Sequence, residues 1–520
     1  MNISMQQTDF VSLLAALIMW LGLAAPLVAQ AANARDVFNV RDFGATGDGK
    51  TLDSPAINKT IEAAVAGGGG TVLVPAGAYL SGSIHLQSNI HLLIDAGATI
   101  LGAPQELNAY DETEAFTNKL YHDDGGHYFF HNSLIWGVNL TNVFITGNGM
   151  INGGDLVHTS VALNEMVGFN NKSPAPDNAP PVRVGNKAIA LKLCRNVLIR
   201  DVTIFHGGHF GILATGCDNL TIDNVTIDTQ RDGMDIDCCR NTMVSNCRVN
   251  SPVDDGICLK STFALGEVRI TENLTIVNCQ VSGFKEGTLL DGTMIGKGGV
   301  GRIKLGTEAT GGFRNCAIAN CTFRNCHGLA LEEVDGGILE NITVNNLTMM
   351  DVRNYAIYLT TGKRNRTVTT PSRARNILIS NVIADGVDDL SGIQIMGLPE
   401  QPIEGVRLEN IRLASKGGGT AKDAGRTPKE LGTGYPEPNR LGMMPAYGIF
   451  ARHVKGLELA NIRVSYEKTD LRPAAVFADI DGLEIDNFKP QVAEGVKAVV
   501  FAPDVKGISI RNSPTVDWVR

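Results

Sequence analysis

NVLIRDVTI, running from Asn196 to Ile204, returns as NLTIDNVTI from Asn219 and as NTMVSNCRV from Asn241, at intervals of 23 and 22 residues. It comes back as NLTIVNCQV from Asn273, NCAIANCTF from Asn315, NITVNNLTM from Asn341 and NILISNVIA from Asn376, with weaker copies near Val406, Leu457, Leu483 and Ile508. Each copy alternates apolar and polar residues as a strand does, and the alternation restarts at an Asn or Asp. A period in the low twenties with strand alternation predicts a stacked solenoid of β-coils. Later copies are spaced more widely, as insertions between coils would make them. In such an architecture, function belongs on one outer face, where successive coils bring side chains into line.

The chain has 520 residues, 43% of them hydrophobic, which is ample for a long core. A solenoid is quasi-one-dimensional, so length does not divide it into domains. One β-helix domain is expected over residues 32–520, with residues 32–105 as an N-terminal capping region. The 58 glycines suit many tight turns. A net charge of −9 argues against a general nucleic-acid binder. It does not exclude an acidic polymer, because a local basic cleft overrides net charge. Phe10–Ala29 is apolar and leads into Ala29-Gln30-Ala31, a small-residue cleavage pattern. Residues 1–31 are therefore read as a secretory signal and the mature protein as periplasmic or secreted. It is expected to be a monomer with no stable membrane partner. The ten cysteines lie between Cys194 and Cys326, and several occupy the repeat itself. They read as buried thiols stacked between coils, without zinc spacing.

At the start of the mature chain Val40–Phe43 reads as a short strand. Ser54 reads as the cap of a helix running to Ala66, and Thr71–Val74 and Ser83–Leu86 read as strands. That helix would cover the open first coil. Three stretches lack periodicity: Val167–Arg183, about Lys285–Val300, and Gly417–Pro445. Loops of this length on a repeat scaffold often wall a binding face.

A second strand series follows the first: GMDID from Gly233, GICLK from Gly256, RIKLG from Arg302, GLALE from Gly328, AIYLT from Ala356, GIQIM from Gly392 and GIFAR from Gly448. Met234 and Ile236, Ile257 and Leu259, Ile303 and Leu305, and Leu329 and Leu331 point inward. The alternate residues point outward, among them Asp235, Asp237, Cys258, Lys260, Lys304, Ala330, Glu332, Tyr358, Gln394 and Phe450. Asp232 and Asp255 precede their glycines on successive coils, roughly 5 Å apart by strand spacing, with Asp254 beside them. Crowded carboxylates repel, so at least one should hold its proton, supplying an acid and a base at one pH. Glycoside hydrolysis uses such a set, and a separation of about 6.5–9.5 Å goes with inversion. The bland alternative is that these acids bind calcium or cap turns.

At these residues the chain resembles glycoside hydrolase family 28, the polygalacturonase and rhamnogalacturonase family, which implies a right-handed parallel β-helix. The opening FNVRDFGATGDGKTLDSPAI resembles that family's start. Its Asn-Thr-Asp-Gly motif is met in part by Gln230-Arg231-Asp232-Gly233, and its Asp-Asp motif by Asp254-Asp255-Gly256. The resemblance implies Asp254 as general acid, Asp232 and Asp255 as holders of the attacking water, and no metal or other cofactor. Two departures stand out. Gly299-Val300-Gly301 lacks the His of the family's Gly-His-Gly motif, and the Arg-Ile-Lys motif appears as Arg302-Ile303-Lys304, one coil early. Where Arg-Ile-Lys is due, the chain has Ala330-Leu331-Glu332. Arg302 and Lys304 are accordingly expected to grip a substrate carboxylate. Glu332, Asp235 and Lys260 are expected to bind sugar hydroxyls and Tyr358, with Phe450, to stack on a ring. His122, His127, His131, His206 and His209 are candidates to replace the missing His. The expectation is an inverting hydrolase of pectic poly- or oligosaccharides, exo-acting by virtue of its insertions. Rhamnogalacturonan hydrolysis, calcium-dependent lyase action and carbohydrate binding without catalysis are the alternatives.

Overall fold

Every coil must turn corners, and the turns explain the repeat. The computed structural model describes residues 37–114, 125–158, 183–365, 367–502 and 504–516. At one corner stand Asn89, Asn142, Asn196, Asn219, Asn241, Asn273, Asn315, Asn341 and Asn376, all left-handed with φ between 53° and 63°. Asn tolerates this conformation better than other residues with a Cβ. Its amide also bonds along the stack: from Asn142 to Asn376, each Nδ2 donates to the Oδ1 of the Asn one coil earlier at 2.7–3.4 Å. In the last coils the corner passes to Gly405, Gly456, Gly482 and Gly507, with φ of 61–82°. This is why the copies near Val406, Leu457, Leu483 and Ile508 look weak: glycine meets the same backbone demand without the amide. A second ladder, from Asn246 through Asn278, Asn320 and Asn346, marks the next corner.

Between corners the strands pair in parallel, 35 of them among the described residues. Ile199, Ile222, Val244, Ile276, Ile318 and Val344 fall in one register column, all buried. The expected inward residues from Met234 to Leu331 lie in this core. All ten cysteines are buried as thiols. Several donate to the backbone, as Cys247 Sγ does to the Ser245 carbonyl at 3.2 Å.

The helix Ser54–Ala66 covers the first coil with Ile57, Ile61 and Ala64. Asp53, not Ser54, holds its N-cap position, and the Asp53 carboxylate accepts instead from the Thr46 and Gly47 amides. Val40–Phe43 is a 3-10 turn rather than a strand, because the Asn39 side chain accepts from the Arg41 amide and stops the strand Val37–Asn39. Thr71–Val74 lies within the strand Gly70–Val74, while the strand expected at Ser83–Leu86 is only Ile84–His85. Residues 1–31, His122 and most of the Val167–Arg183 loop lie outside the described residues.

The largest correction concerns the outward column. Asp235, Cys258, Lys304, Ala330, Tyr358, Gln394 and Phe450 do align across successive coils. They are nonetheless buried. The 417–445 insertion folds back over the later coils, pinned at its ends by Asp470 to the Gly419 amide and by Arg472 to the Leu390 and Met444 carbonyls. Tyr358, Tyr355, Met396 and Phe450 pack beneath it with Met444.

The corner argument predicts opposite outcomes at one position. A Cβ at Gly405 meets nothing nearer than 3.7 Å, and Asn376 offers a rung. Gly405→Asn should raise the denaturation midpoint, by about 0.5–1 kcal/mol of stability. Gly405→Ala should cost about 1 kcal/mol, because alanine takes the strain without the amide bond. Equal effects in urea melts would refute the ladder's contribution.

Candidate active site

Asp232 opens the strand Asp232–Asp237, and Asp254-Asp255 lead into Ile257–Ser261 on the next coil. The Gly233 amide donates to the Asp255 carbonyl at 2.9 Å, so the two carboxylates do hold equivalent places. One oxygen from each of Asp232, Asp254 and Asp255 lies within 4.8 Å of the others. They line a cavity of ≈390 Å³ with His127, Phe210, Arg231, Lys260, Glu308, Arg364, Tyr435 and Arg440. That volume is in the range of small-ligand sites.

The three acids differ in their surroundings. Burial, followed by the Asp254 and Asp235 charges, pushes the Asp232 carboxyl well above the usual range. Burial acts upward on Asp255 too, but Arg302, Lys304 and Lys260 outweigh it and hold that carboxyl below the usual range. Arg302 Nε lies 2.7 Å and Lys304 Nζ 3.4 Å from Asp255. Asp254 is the open member, with its side chain 30% exposed and Arg231 2.7 Å away. The Asp232 and Asp255 carboxyls are thus shifted in opposite directions, the first upward and the second downward.

A bulge shapes the floor. The register moves from Leu259↔Leu305 to Ser261↔Ala309, so extra residues stand opposite Lys260. One of them, Glu308, meets Lys260 at 2.9 Å and Arg364 at 3.3 Å.

Arg302 and Lys304 are not at the cavity surface. Arg302 Nη2 lies 3.2 Å from Glu437 of the insertion, and its Nη1 contacts the Tyr355 hydroxyl. Lys304 sits 3.5 Å from Glu332. The pair does bind carboxylates, but those of this chain. Glu332 is fully buried, its Oε2 accepting from the Thr307 hydroxyl at 3.0 Å, and burial raises its pKa. Asp235 is fully buried beside His127 at 3.5 Å. Tyr358 lies 5.5 Å from Tyr355 under the roof and offers no face to a sugar. Of the substrate-binding residues expected, Lys260 alone lines the cavity.

Among the histidines, His127 reaches the cavity, set against Phe210 at 4.8 Å. His131 stacks on Trp136, His206 lies 3.1 Å from Glu286, and His209 is fully buried. Sequence reasoning passed over His327, which accepts from Asn354 at 3.1 Å and is pushed down to about 4 by burial and by Arg302. It also passed over Glu308, Arg364, Glu437, Tyr435 and Arg440. The aperiodic stretch holding the last three was the available signal.

A carboxylate-lined cavity on the side of a parallel β-helix is an arrangement that glycoside hydrolysis can use. The sequence matches the family described as rhamnogalacturonase A/epimerase, pectate lyase-like, over residues 37–258, and a right-handed β-helix region over residues 187–372. It is 26% identical over 401 residues to a "Probable polygalacturonase" of Vitis vinifera, covering 72% of this chain and 74% of that one. It is 28% identical over 263 residues to an exo-poly-alpha-D-galacturonosidase of Dickeya chrysanthemi, covering 44% of this chain and 42% of that one. The Yersinia enterocolitica family 28 exopolygalacturonase shares the fold, with a TM-score of 0.59 at 18% identity over 94% of this chain and 79% of that one. These matches support a polygalacturonase-like β-helix of the glycoside hydrolase family 28 kind.

Asp232 offers a stability test with a defined sign. Its folded-state pKa lies above the ordinary 3.8. Above that pH the unfolded chain releases a proton that the native state keeps, so native stability falls as pH rises. Asp232→Asn removes this term. It should stabilise the protein at pH 7 by on the order of 1 kcal/mol while impairing catalysis, and the gain should vanish below about pH 4. A gain independent of pH would contradict the assignment.

Proposed function

We propose that this protein hydrolyses galacturonan-type pectic chains from one end. The observation that carries the reading is the trio of carboxylates in one cavity with opposed electrostatics. Asp255, held anionic, activates the water. Asp254, the member open to the cavity, passes to the leaving oxygen the proton that Asp232 holds. Asp232 keeps its proton in the resting site, so the trio never carries its full negative charge. The family resemblance grouped Asp232 with Asp255 as water holders, and the raised pKa of Asp232 moves it to the acid side.

The oxygen separation of at most 4.8 Å is shorter than the window associated with two carboxylates spanning a water. Inversion therefore rests on the family resemblance, and that distance does not support it. The roof formed by residues 417–445 closes the face toward the later coils, which favours docking of a chain end. In this reading the protein works outside the cytoplasm as a monomer, to be checked by cell fractionation and light scattering.

A calcium-dependent lyase is the second reading, because three carboxylate oxygens this close also suit a hard cation. Arg231 at 2.7 Å from Asp254 and 3.7 Å from Asp232 disfavours a dication there. Incubating the protein with homogalacturonan and rhamnogalacturonan oligomers in EDTA separates the two. Saturated monosaccharide, released with inverted anomeric configuration by NMR, is expected. Unsaturated products appearing only with calcium would replace hydrolase by lyase. Asp254→Asn should lower kcat by roughly 10²–10⁴-fold. On an aryl glycoside whose leaving group needs no proton, the loss should be far smaller. An equal loss on both substrates would remove Asp254 from the acid role.

A further inference from the structure

The cations around the cavity are mostly committed to acids of the chain itself. Arg231 pairs with Asp254 at 2.7 Å, Lys260 with Glu308 at 2.9 Å, and Arg364 with Glu308 and Asp335. Beneath them, Arg302 and Lys304 are held by Asp255, Glu437 and Glu332. Arg440 differs. It lines the cavity, is exposed, and forms no ion pair among the described residues. Its guanidinium carbon lies 5.0 Å from the centre of the Tyr435 ring. Tyr435 is itself 37% exposed and lines the same cavity. A guanidinium stacked on an aromatic face is fixed in orientation while its N–H edge stays available for a planar acceptor.

The pair is held firmly. Between Tyr435 and Arg440 lie Pro436 and Pro438, which restrict the backbone, and the 3-10 turn Pro438–Arg440. The Arg440 amide donates to the Glu437 carbonyl at 3.0 Å. The Glu437 carboxylate is docked on Arg302 at 3.2 Å and accepts from Asn354 at 3.5 Å. The Tyr435 hydroxyl lies 3.2 Å from that of Thr307, whose proton is directed at Glu332. The insertion is thus bolted by an acid to the base of the site, and it brings the Tyr435 ring and an uncommitted cation to the cavity that the three aspartates line.

We infer that Arg440 and Tyr435 form the subsite that selects an acidic sugar, with Arg440 taking the uronate carboxylate through a bidentate contact and Tyr435 supporting the ring. This rests on the galacturonan reading and names the residues that impose it. It also reassigns the displaced Arg302: beside Asp255 it holds Glu437, and so keeps the selecting loop in place.

The test is binding of a non-hydrolysable, sulfur-linked galacturonate trimer and of its methyl ester to the intact protein, by titration calorimetry. The wild type should prefer the free acid. Arg440→Ala should weaken the free acid roughly 10- to 100-fold and leave the ester nearly unchanged. Arg440→Lys should restore part of the preference, because it returns charge without the planar fork. Tyr435→Ala should weaken both ligands and Tyr435→Phe neither. An acid-to-ester ratio unmoved by Arg440→Ala, in a protein with an unchanged melting curve, would overturn the inference, as would absence of trimer binding by the wild type. Trimer binding with the expected Arg440 dependence, but no turnover of the oxygen-linked polymer, would sink the hydrolase reading and leave the acidic-sugar subsite standing.

Discussion

A left-handed residue at a fixed corner of each coil is the constraint on which the molecule rests. Parallel strands stack only if every coil closes at the same place, and closing requires positive φ there. Asn meets the requirement and adds an amide bond to the coil before it; glycine meets it alone. Once the corners are set, alternation sorts each strand into an apolar inner set and a polar outer set. The register columns follow, and so does the placing of Asp232 and Asp255 on neighbouring coils.

The catalytic cavity shows what can be built on such a regular support. The coils supply acids at strand spacing, but equal spacing alone would leave them electrostatically alike. Arg302 and Lys304 on the next coil separate them by lying against Asp255, and two irregularities anchor the cations around them. The bulge after Leu305 turns Glu308 toward Lys260, and the 417–445 insertion sets Glu437 on Arg302. Arg302 then stands between two carboxylates, one of the reaction centre and one of the roof. Its position couples the ionisation of Asp255 to the seating of the loop that covers the site.

The asparagine phrase made the coil stack legible, and alternation found the inward residues from Met234 to Leu331. Pattern and resemblance also led to Asp232, Asp254 and Asp255. The depth of the outward column was not legible. A strand's alternation says which way a side chain leaves the backbone, not what lies above it, so Tyr358 and Glu332 read as exposed when a roof covers them. For the same reason Arg302 and Lys304 read as available cations. Their partner Glu437 is 135 residues away from Arg302 along the chain, in a stretch with no period to place it. Val40–Phe43 was misread on a smaller scale, because an Asn39 side chain ended the strand before Val40.

The exchange of Asn for Gly at the first corner makes the coil stack uneven along its axis. From Asn89 to Asn376 that edge carries a continuous line of amide bonds, and from Gly405 onward it carries none. The second corner keeps its line through Asn410, Asn461 and Asn487. The final coils are thus sewn along one seam where the others have two, and because each coil leans only on its neighbours, this is the end from which the spiral would fray. The roof over the active site is pinned into that more loosely sewn half, through Asp470 and Arg472, so the earliest opening of the spiral would also slacken the lid.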